Sequence, residues 1–153
     1  YSKGMKMKLA IAVALSHHAK LLILDEPTSG LDPFMRDEIL DILYEFTRAE
    51  DQSVLISSHI VSDLERLCDY IAYIDQGSLK LYEEKDRLIE QYGILKCSKE
   101  ELKEFDEQAV KGVRKNSYGV EALVDKLKMP KDYKTDMATL EEIIVFLSKG
   151  QEE

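Results

Sequence analysis

Hydrophobic and polar positions follow two different periods in the first part of the chain, and each change of period predicts a new element. A run of four leucine and isoleucine residues ends at Asp25, just before Pro27, and a second apolar run over Ser53–Ser58 precedes His59. Short apolar runs bounded by turn residues are typical of strands buried on both faces of a parallel sheet. We therefore predict two buried parallel strands.

Helical periodicity lies on either side of the first strand. Asp32 followed by Pro33 predicts a helix start, because an acidic N-cap and a proline in the first helical position are both favoured. Apolar residues then recur every three or four positions as far as Phe46, which predicts an amphipathic helix to about Ala49. The segment Met5–His18 has no helix breaker and is predicted to be helical as well.

The same alternation of strands and helices continues to residue 82. Ser62-Asp-Leu-Glu65 has the pattern of a capping box and predicts the start of a short helix. Tyr70–Asp75 and Ser78–Tyr82 are predicted to form a hairpin about Gln76-Gly77. The order strand, helix, strand, helix, strand fits half of a doubly wound α/β sheet.

The pattern changes after residue 82. Residues 83–92 are predicted to be a charged helical connector, and residues 93–153 a small α+β accessory region without a chemical motif. The elements predicted in this region are a strand over Ile94–Cys97, a short helix capped by Ser98–Glu101, a hairpin about Asn116–Gly119, and a final helix capped by Thr139–Glu142 and closed by Gly150.

Composition excludes several classes of protein. The 153 residues carry a net charge of −9, whereas surfaces that bind nucleic acid are normally basic, so we expect no nucleic-acid partner. No apolar run approaches the length of about 18 residues that a membrane helix needs. Cys68 and Cys97 lack a C-x-x-C pattern, which favours reduced thiols in the cytosol over a disulfide or a zinc site.

Asp25 and Glu26 are the first candidates for chemistry. They follow a predicted parallel strand, and open α/β sheets bind their ligands at the carboxyl ends of strands. Neighbouring strand residues point to opposite faces, so the two acids can have different tasks, with a metal ion or a reacting water as partner. A helix-capping or solvated acid pair is the alternative. His59 follows the second strand, where an imidazole can bind a γ-phosphate, unless it is an ordinary loop histidine.

Ser2, Lys3 and Gly4 form the second candidate site because they precede a predicted helix. Exposed amides at a helix N-terminus, together with a hydroxyl group and a glycine, make a natural phosphate site. Lys6 and Lys8 add positive charge where the helix dipole disfavours it, which an anionic ligand would offset. A solvated basic turn is the alternative.

These motifs together resemble the ATP-binding cassette (ABC) ATPases. Leu21–Pro33, which reads L-L-I-L-D-E-P-T-S-G-L-D-P, is similar to the Walker B strand and D-loop of that family. Tyr1–Met5 resembles a variant of its signature motif, and His59 occupies the place of its switch histidine. The resemblance covers about residues 1–82, and the variant Gly4-Met5-Lys6 resembles ATPases of bacterial drug, antibiotic and lantibiotic exporters more than those of importers.

The resemblance implies a fold and a set of roles. The fold would be α/β: the C-terminal half of a P-loop NTPase (RecA-like) core, a parallel sheet flanked by helices, with a small α+β appendage. The ligands would be ATP and Mg²⁺, with Asp25 holding the metal, Glu26 activating the attacking water and His59 sensing the γ-phosphate. Two further groups would serve the dimer: the signature residues Ser2, Lys3 and Gly4 toward ATP on the partner subunit, and the D-loop residues Ser29, Gly30 and Asp32 at the interface.

No G-x-x-x-x-G-K-[ST] phosphate loop occurs in the sequence, so we expect the C-terminal part of a longer protein, inactive by itself. Its domains would be a partial ATPase core over 1–82, the connector 83–92 and the accessory region 93–153. The parent would hydrolyse ATP in a head-to-tail homo- or heterodimer with a second ATPase subunit, and would bind a membrane permease at the cytoplasmic face of the cell membrane. Two alternatives stay open: a non-transport ABC ATPase, and a regulatory or dimer-forming module without activity.

Overall fold

The structure is a computed structural model that describes residues 2–116, 119–130 and 132–149. The predictions made for Tyr1, for the turn residues Ser117 and Tyr118 and for Gly150 lie outside these residues. No helix among the described residues is long and apolar enough to cross a membrane.

By its internal contacts the chain divides into two compact units, Tyr1–Leu67 and Cys68–Glu153. Residues 68–82 therefore group with the second unit, although the sequence pattern assigns them to the ATPase core. The domain boundaries at residues 82 and 92 stay predictions.

The first unit alternates helices and strands, as its hydrophobic pattern predicts. Its elements are α1 (Lys3–Leu15), β1 (Leu21–Asp25), α2 (Pro33–Thr47), β2 (Ser53–Ser57) and α3 (Val61–Leu67). The two strands pair in parallel, with Ile23 opposite Leu55 and Asp25 opposite Ser57. The parallel pairing brings the carboxyl ends of β1 and β2 together.

Helix α2 begins where the sequence predicts. The Asp32 side chain accepts a hydrogen bond of 3.0 Å from the backbone N–H of Met35, and Pro33 occupies the first helical position. The inner face of the helix packs on β1 and α1 in one apolar core, formed by Ile11, Leu22, Ile39, Leu43 and Phe46.

The prediction that β1 and β2 are buried on both faces is wrong for the described structure. Leu22 is buried in the core, but Ile23 is 71% exposed, and its neighbour on the same face of the sheet, Leu55, is 61% exposed. The helices of the first unit pack on the Leu22 side of the strand. An apolar face of the parallel pair is consequently left open.

The predicted capping box of α3 is also wrong. The helix begins at Val61, one residue before Ser62, so Ser62 lies inside it. The Ser62 hydroxyl accepts a hydrogen bond of 2.7 Å from the Arg36 guanidinium of α2. A tertiary contact has therefore replaced the local cap.

The second unit begins with an isolated hairpin. Strands β3 (Tyr70–Asp75) and β4 (Ser78–Glu84) pair with each other in antiparallel fashion, so in the described residues β3 does not extend the β1–β2 sheet as the strand–helix order predicts. Gln76 and Gly77 both have positive φ angles, 47° and 73°. This is the backbone of a type I′ turn, whose twist matches that of the flanking strands, and the predicted hairpin is confirmed.

The rest of the second unit is a four-stranded antiparallel sheet with helices. Its strand order is β6-β7-β5-β8. The remaining elements in chain order are α4 (Lys85–Gln91), β5 (Tyr92–Cys97), α5 (Lys99–Leu102), β6 (Val110–Asn116), β7 (Gly119–Asp125), a 3₁₀ turn (Lys126–Lys128), β8 (Asp136–Met137) and α6 (Leu140–Lys149).

Both capping boxes predicted in this unit are present. Ser98 and Glu101 exchange the two bonds of the box at the start of α5. Thr139 and Glu142 do so at the start of α6, where the Thr139 N–H donates to the Glu142 carboxylate at 2.9 Å and the Glu142 N–H donates to the Thr139 hydroxyl at 3.2 Å. Helix α6 then buries Leu140, Ile143 and Phe146.

Candidate functional site

The candidate site lies at the carboxyl ends of β1 and β2. Asp25 ends β1 opposite Ser57, which ends β2. The Ser57 hydroxyl donates a hydrogen bond to Oδ1 of Asp25, and the Asp25 side chain is otherwise exposed. The parallel register thus orients this carboxylate from the neighbouring strand.

Glu26 leaves the strand with an unusual backbone conformation. Its φ of 48° lies in the left-handed region, which residues other than glycine rarely adopt. Backbone strain of this kind recurs at functional sites. The Glu26 N–H donates to the Ser57 carbonyl oxygen at 3.0 Å, so β2 supports the strained residue. The turn directs the Glu26 side chain toward the loop that follows β2.

His59 meets Glu26 at that loop. Oε1 of Glu26 accepts the His59 backbone N–H at 3.0 Å, and Oε2 lies 2.8 Å from the His59 ring nitrogen Nδ1. The Glu26 side chain keeps 35% of its surface exposed and the His59 side chain 68%. The pair is thus fixed in position and still open to solvent or a ligand.

The segment after Glu26 folds into two tight turns that lead into α2. Ser29 N–H donates to the Glu26 carbonyl oxygen, and Leu31 N–H donates to that of Thr28, each at 3.2 Å. Gly30 has a φ of 68°, which glycine adopts without strain. Asp32 serves as the N-cap of α2, one of the two roles compatible with its position.

The start of α1 lies against this segment. The Ser2 hydroxyl accepts the Met5 N–H at 3.2 Å as an N-cap, and the Lys3 ammonium donates to the Ser29 carbonyl oxygen at 2.5 Å. Gly4 is buried, and a Cβ on it would lie 2.6 Å from Cε of Met35 in α2. A larger residue at this position would therefore have to displace the Met35 side chain, so glycine allows α1 to pack closely on α2.

One group of polar residues was missed by the sequence reasoning. Asp63 of α3 is buried and accepts hydrogen bonds from Thr28 Oγ1 at 2.5 Å and from Arg36 Nε at 2.6 Å. Its partners lie 35 and 27 positions earlier in the chain, so no local pattern announces the contact.

The oxygen donors at the end of β1 suit a magnesium ion. Mg²⁺ prefers hard oxygen ligands, keeps several waters, and is commonly held by one or two carboxylates together with substrate phosphates. Asp25 presents an exposed carboxylate with the Ser57 hydroxyl beside it. Among the described residues there is no cluster of three or more histidine, cysteine, aspartate or glutamate side chains that could hold a metal ion.

Sequence comparison shows which proteins the chain is similar to. Residues 1–62, less than half of the chain, match the family described as "AAA domain, putative AbiEii toxin, Type IV TA system". The homologues of the chain are ATP-binding proteins of ABC transporters, at 42–48% identity, and its structural neighbours are ABC ATPases. The fold is accordingly that of an ABC ATPase, a P-loop NTPase fold of mixed α/β type, as the motifs predict.

Two relatives and one solved structure illustrate the similarity. The chain is 46% identical over 86 residues to the lantibiotic transport ATP-binding protein SrtF of Streptococcus pyogenes, covering 56% of this chain and 37% of that protein. It is 45% identical over 79 residues to the bacitracin transport ATP-binding protein BcrA of Bacillus licheniformis, covering 52% and 26%. A dimeric ATP-binding cassette in a post-hydrolysis state with ADP and Pi is similar in fold, with a TM-score of 0.50, 24% identity and coverage of 55% and 36%. The matched segment thus spans about a third or less of the relatives' length.

Proposed function

We propose that this chain is part of an ATP-hydrolysing subunit of an ABC-type exporter. The observation that carries the proposal is the pairing of Glu26 with His59 at the carboxyl ends of two parallel strands. The similarity to lantibiotic and bacitracin transport proteins supports an exporter of the antibiotic type.

The geometry around Glu26 suits a general base for hydrolysis. Phosphoryl transfer depends mainly on positioning and on charge stabilisation, so a carboxylate must hold the attacking water in line. Both oxygens of Glu26 are anchored to His59, and the side chain still has access to solvent. Nδ1 donates to the Glu26 carboxylate, so Nε2 can donate to an oxygen of the γ-phosphate when the ring carries a proton on both nitrogens.

Asp25 would hold Mg²⁺, most of whose remaining ligands would be waters and phosphate oxygens. A bound Mg²⁺ would neutralise part of the negative charge on the phosphates. In this arrangement the Ser57 hydroxyl holds the Asp25 carboxylate in one orientation, and the same residue's carbonyl oxygen holds the Glu26 amide. A single residue of β2 therefore positions both acids.

The remaining site residues would act across a head-to-tail dimer. Ser2, Lys3 and Gly4 would close over ATP on a second ATPase subunit, identical or different, and Ser29, Gly30 and Asp32 would lie at the interface. The contact of Lys3 with Ser29 supports this proposal, because it already joins the two groups on one surface. The subunit would bind a membrane permease at the cytoplasmic face, and the net charge of −9 speaks against a nucleic-acid partner.

Replacing Glu26 by glutamine tests the proposal. The assay needs a polypeptide in which these residues are joined to a phosphate loop, because the 153 residues contain none. Glu26→Gln keeps the shape of the side chain but removes its basicity, so we expect ATP turnover to fall by about 10²-fold or more while ATP binding is retained. Steady-state phosphate release and equilibrium nucleotide binding are the two measurements.

Glu50→Gln is the matched control, since Glu50 is an exposed carboxylate in the turn before β2, at the opposite end of that strand from Ser57. It should leave turnover at the wild-type level. Near-normal turnover in Glu26→Gln would remove Glu26 from the mechanism. Absence of turnover in the wild type, with and without a permease, would contradict the ATPase assignment itself.

A further inference from the structure

Asp63 is a buried carboxylate that the proposed hydrolysis does not use. Its side chain is 1% exposed. A buried charge is tolerated only when it is paired and hydrogen-bonded, and Asp63 meets both conditions through Thr28 and Arg36. Asp63 and Arg36 therefore form a largely buried ion pair, with its desolvation cost, at a position where apolar side chains would have been sufficient for packing.

The partners of Asp63 connect the two loops that carry the candidate catalytic pair. Thr28 follows Glu26 by two residues, and Asp63 follows His59 by four. The hydrogen bond of 2.5 Å from Thr28 to Asp63 thus forms a second link between the loop after β1 and the region after β2. The first link is the Glu26–His59 pair itself. Because two separate contacts join the same two segments, Glu26 and His59 are restricted in how they can turn relative to each other.

Arg36 extends this arrangement to α2. Its Nε donates to Asp63 Oδ1 at 2.6 Å and its Nη2 donates to the Ser62 hydroxyl at 2.7 Å. The Arg36 side chain is 31% exposed, so it compensates the buried charge of Asp63 without being fully desolvated itself. Three segments, the loop after β1, the start of α2 and the start of α3, consequently meet at one carboxylate.

We propose that Asp63 is a positioning residue that, through Thr28, keeps His59 in contact with Glu26. The contacts of Asp63, Thr28, Glu26 and His59 are features of the structure, whereas their effect on turnover rests on the proposed ATPase function. Asp63 does not touch the reacting atoms in this scheme. A purely structural ion pair would stabilise the first unit as a whole, whereas a positioning residue controls the Glu26–His59 contact in particular.

Amide hydrogen exchange in the 153-residue chain separates these two roles. The reporter is the amide of His59, which donates to Glu26, and the reference is the amide of Leu43 in the core helix α2. Thr28→Val removes the donor to Asp63 with little change in size. We expect the ratio of the exchange rates of His59 and Leu43 to rise by about tenfold, the factor that corresponds to the loss of one buried hydrogen bond.

Thr28→Ser retains the hydroxyl and should restore the wild-type ratio. Arg66→Gln is the matched control, because Arg66 links α3 to Asp37 and Asp41 of α2 without touching the loop after β1. It should change both rates by the same factor. If Thr28→Val does not fold, Thr28→Ala carries the same test, since it also removes the hydroxyl donor and leaves the Asp63–Arg36 pair in place.

Turnover in the polypeptide that carries a phosphate loop gives the second readout. Thr28→Val should lower kcat by roughly 10- to 100-fold, the cost of a small misplacement of a catalytic group, with little change in KM for ATP. An unchanged exchange ratio in Thr28→Val would overturn the proposal, and so would a changed ratio with normal kcat. If Thr28→Val changes the exchange ratio but the wild type itself shows no ATP turnover, the link between the loops is confirmed and the proposed function is overturned instead.

Discussion

At the scale of single residues, the backbone of Glu26 accounts for much of the candidate site. The sequence predicts that Asp25 and Glu26 end a strand and point to different sides. It does not predict the left-handed φ of 48°, because nothing in the residue type favours that conformation in glutamate. The conformation is held by the bond of the Glu26 amide to Ser57 and by the bonds of its carboxylate to His59, all of which depend on the pairing of β1 with β2.

The two cysteines provide a prediction at this scale. Burial raises the pKa of the Cys68 thiol, and burial together with the nearby Glu101 carboxylate raises the pKa of the Cys97 thiol. Only the thiolate reacts as a nucleophile, so a raised pKa leaves less reactive thiol at neutral pH. We expect both to react with iodoacetamide more slowly than glutathione does near pH 7, with a rate that keeps rising with pH beyond about 8.5, the ordinary thiol pKa.

Mass spectrometry of the alkylated chain at a series of pH values measures both rates. The single variants Cys68→Ser and Cys97→Ser assign each rate to one thiol. A rate that reaches its plateau below the pH at which a free cysteine does so would contradict the prediction for that residue.

At the scale of elements, local signals in the sequence succeeded and long-range ones failed. The Asp32-Pro33 helix start, the Gln76-Gly77 turn and the Thr139–Glu142 capping box are all present, because each depends on residues within a few positions of one another. The pairing of β3 could not be predicted in this way, since strand order alone does not say which sheet a strand joins. The capping box predicted at Ser62 is absent for a related reason, since the Ser62 hydroxyl bonds to Arg36 of another helix and no local pattern indicates that contact.

Gly112 provides a prediction for the packing of α6 on β6. A Cβ added to Gly112 would lie 2.5 Å from the carbonyl oxygen of Phe146 and 3.0 Å from its carbonyl carbon. These are backbone atoms of a helix, so the contact cannot be relieved by a side-chain rotation. We expect Gly112→Ala to lower the free energy of unfolding by about 1–3 kcal/mol, as overpacking of a filled core does.

Chemical denaturation followed by circular dichroism measures this change. Lys115→Ala is the control, because Lys115 lies exposed on the same strand. An unchanged free energy of unfolding in Gly112→Ala would show that α6 can move away from β6 at little cost.

At the scale of the whole molecule, the open face of the β1–β2 pair is the most consequential surface. Ile23 and Leu55 lie opposite each other on that face, and both are largely exposed. The apolar run predicts that both faces of the strand are buried, and the sequence does not say which residues would cover this one. Contiguous exposed apolar surface on a sheet promotes association between copies of a chain.

We therefore expect the 153-residue chain to self-associate as its concentration rises. Leu55→Thr should reduce this association, because it removes apolar surface while introducing a β-branched residue, which strands favour. Leu127→Thr is the control, since Leu127 is 84% exposed but belongs to the second unit. Light scattering over a range of concentrations measures the mass, and a monomer at all concentrations in the unmodified chain would contradict the prediction.

The parallel pairing of β1 with β2 also has a consequence for the order of folding. Asp25 and Ser57, which meet at the candidate site, are 32 residues apart in the chain, whereas the β3–β4 hairpin closes over the two residues of its turn. Contacts between distant residues require the closure of a long loop before they contribute any stabilisation, which makes them late and slow to form. We therefore expect the contacts of Asp25 and Glu26 with β2 to form later in folding than the β3–β4 hairpin.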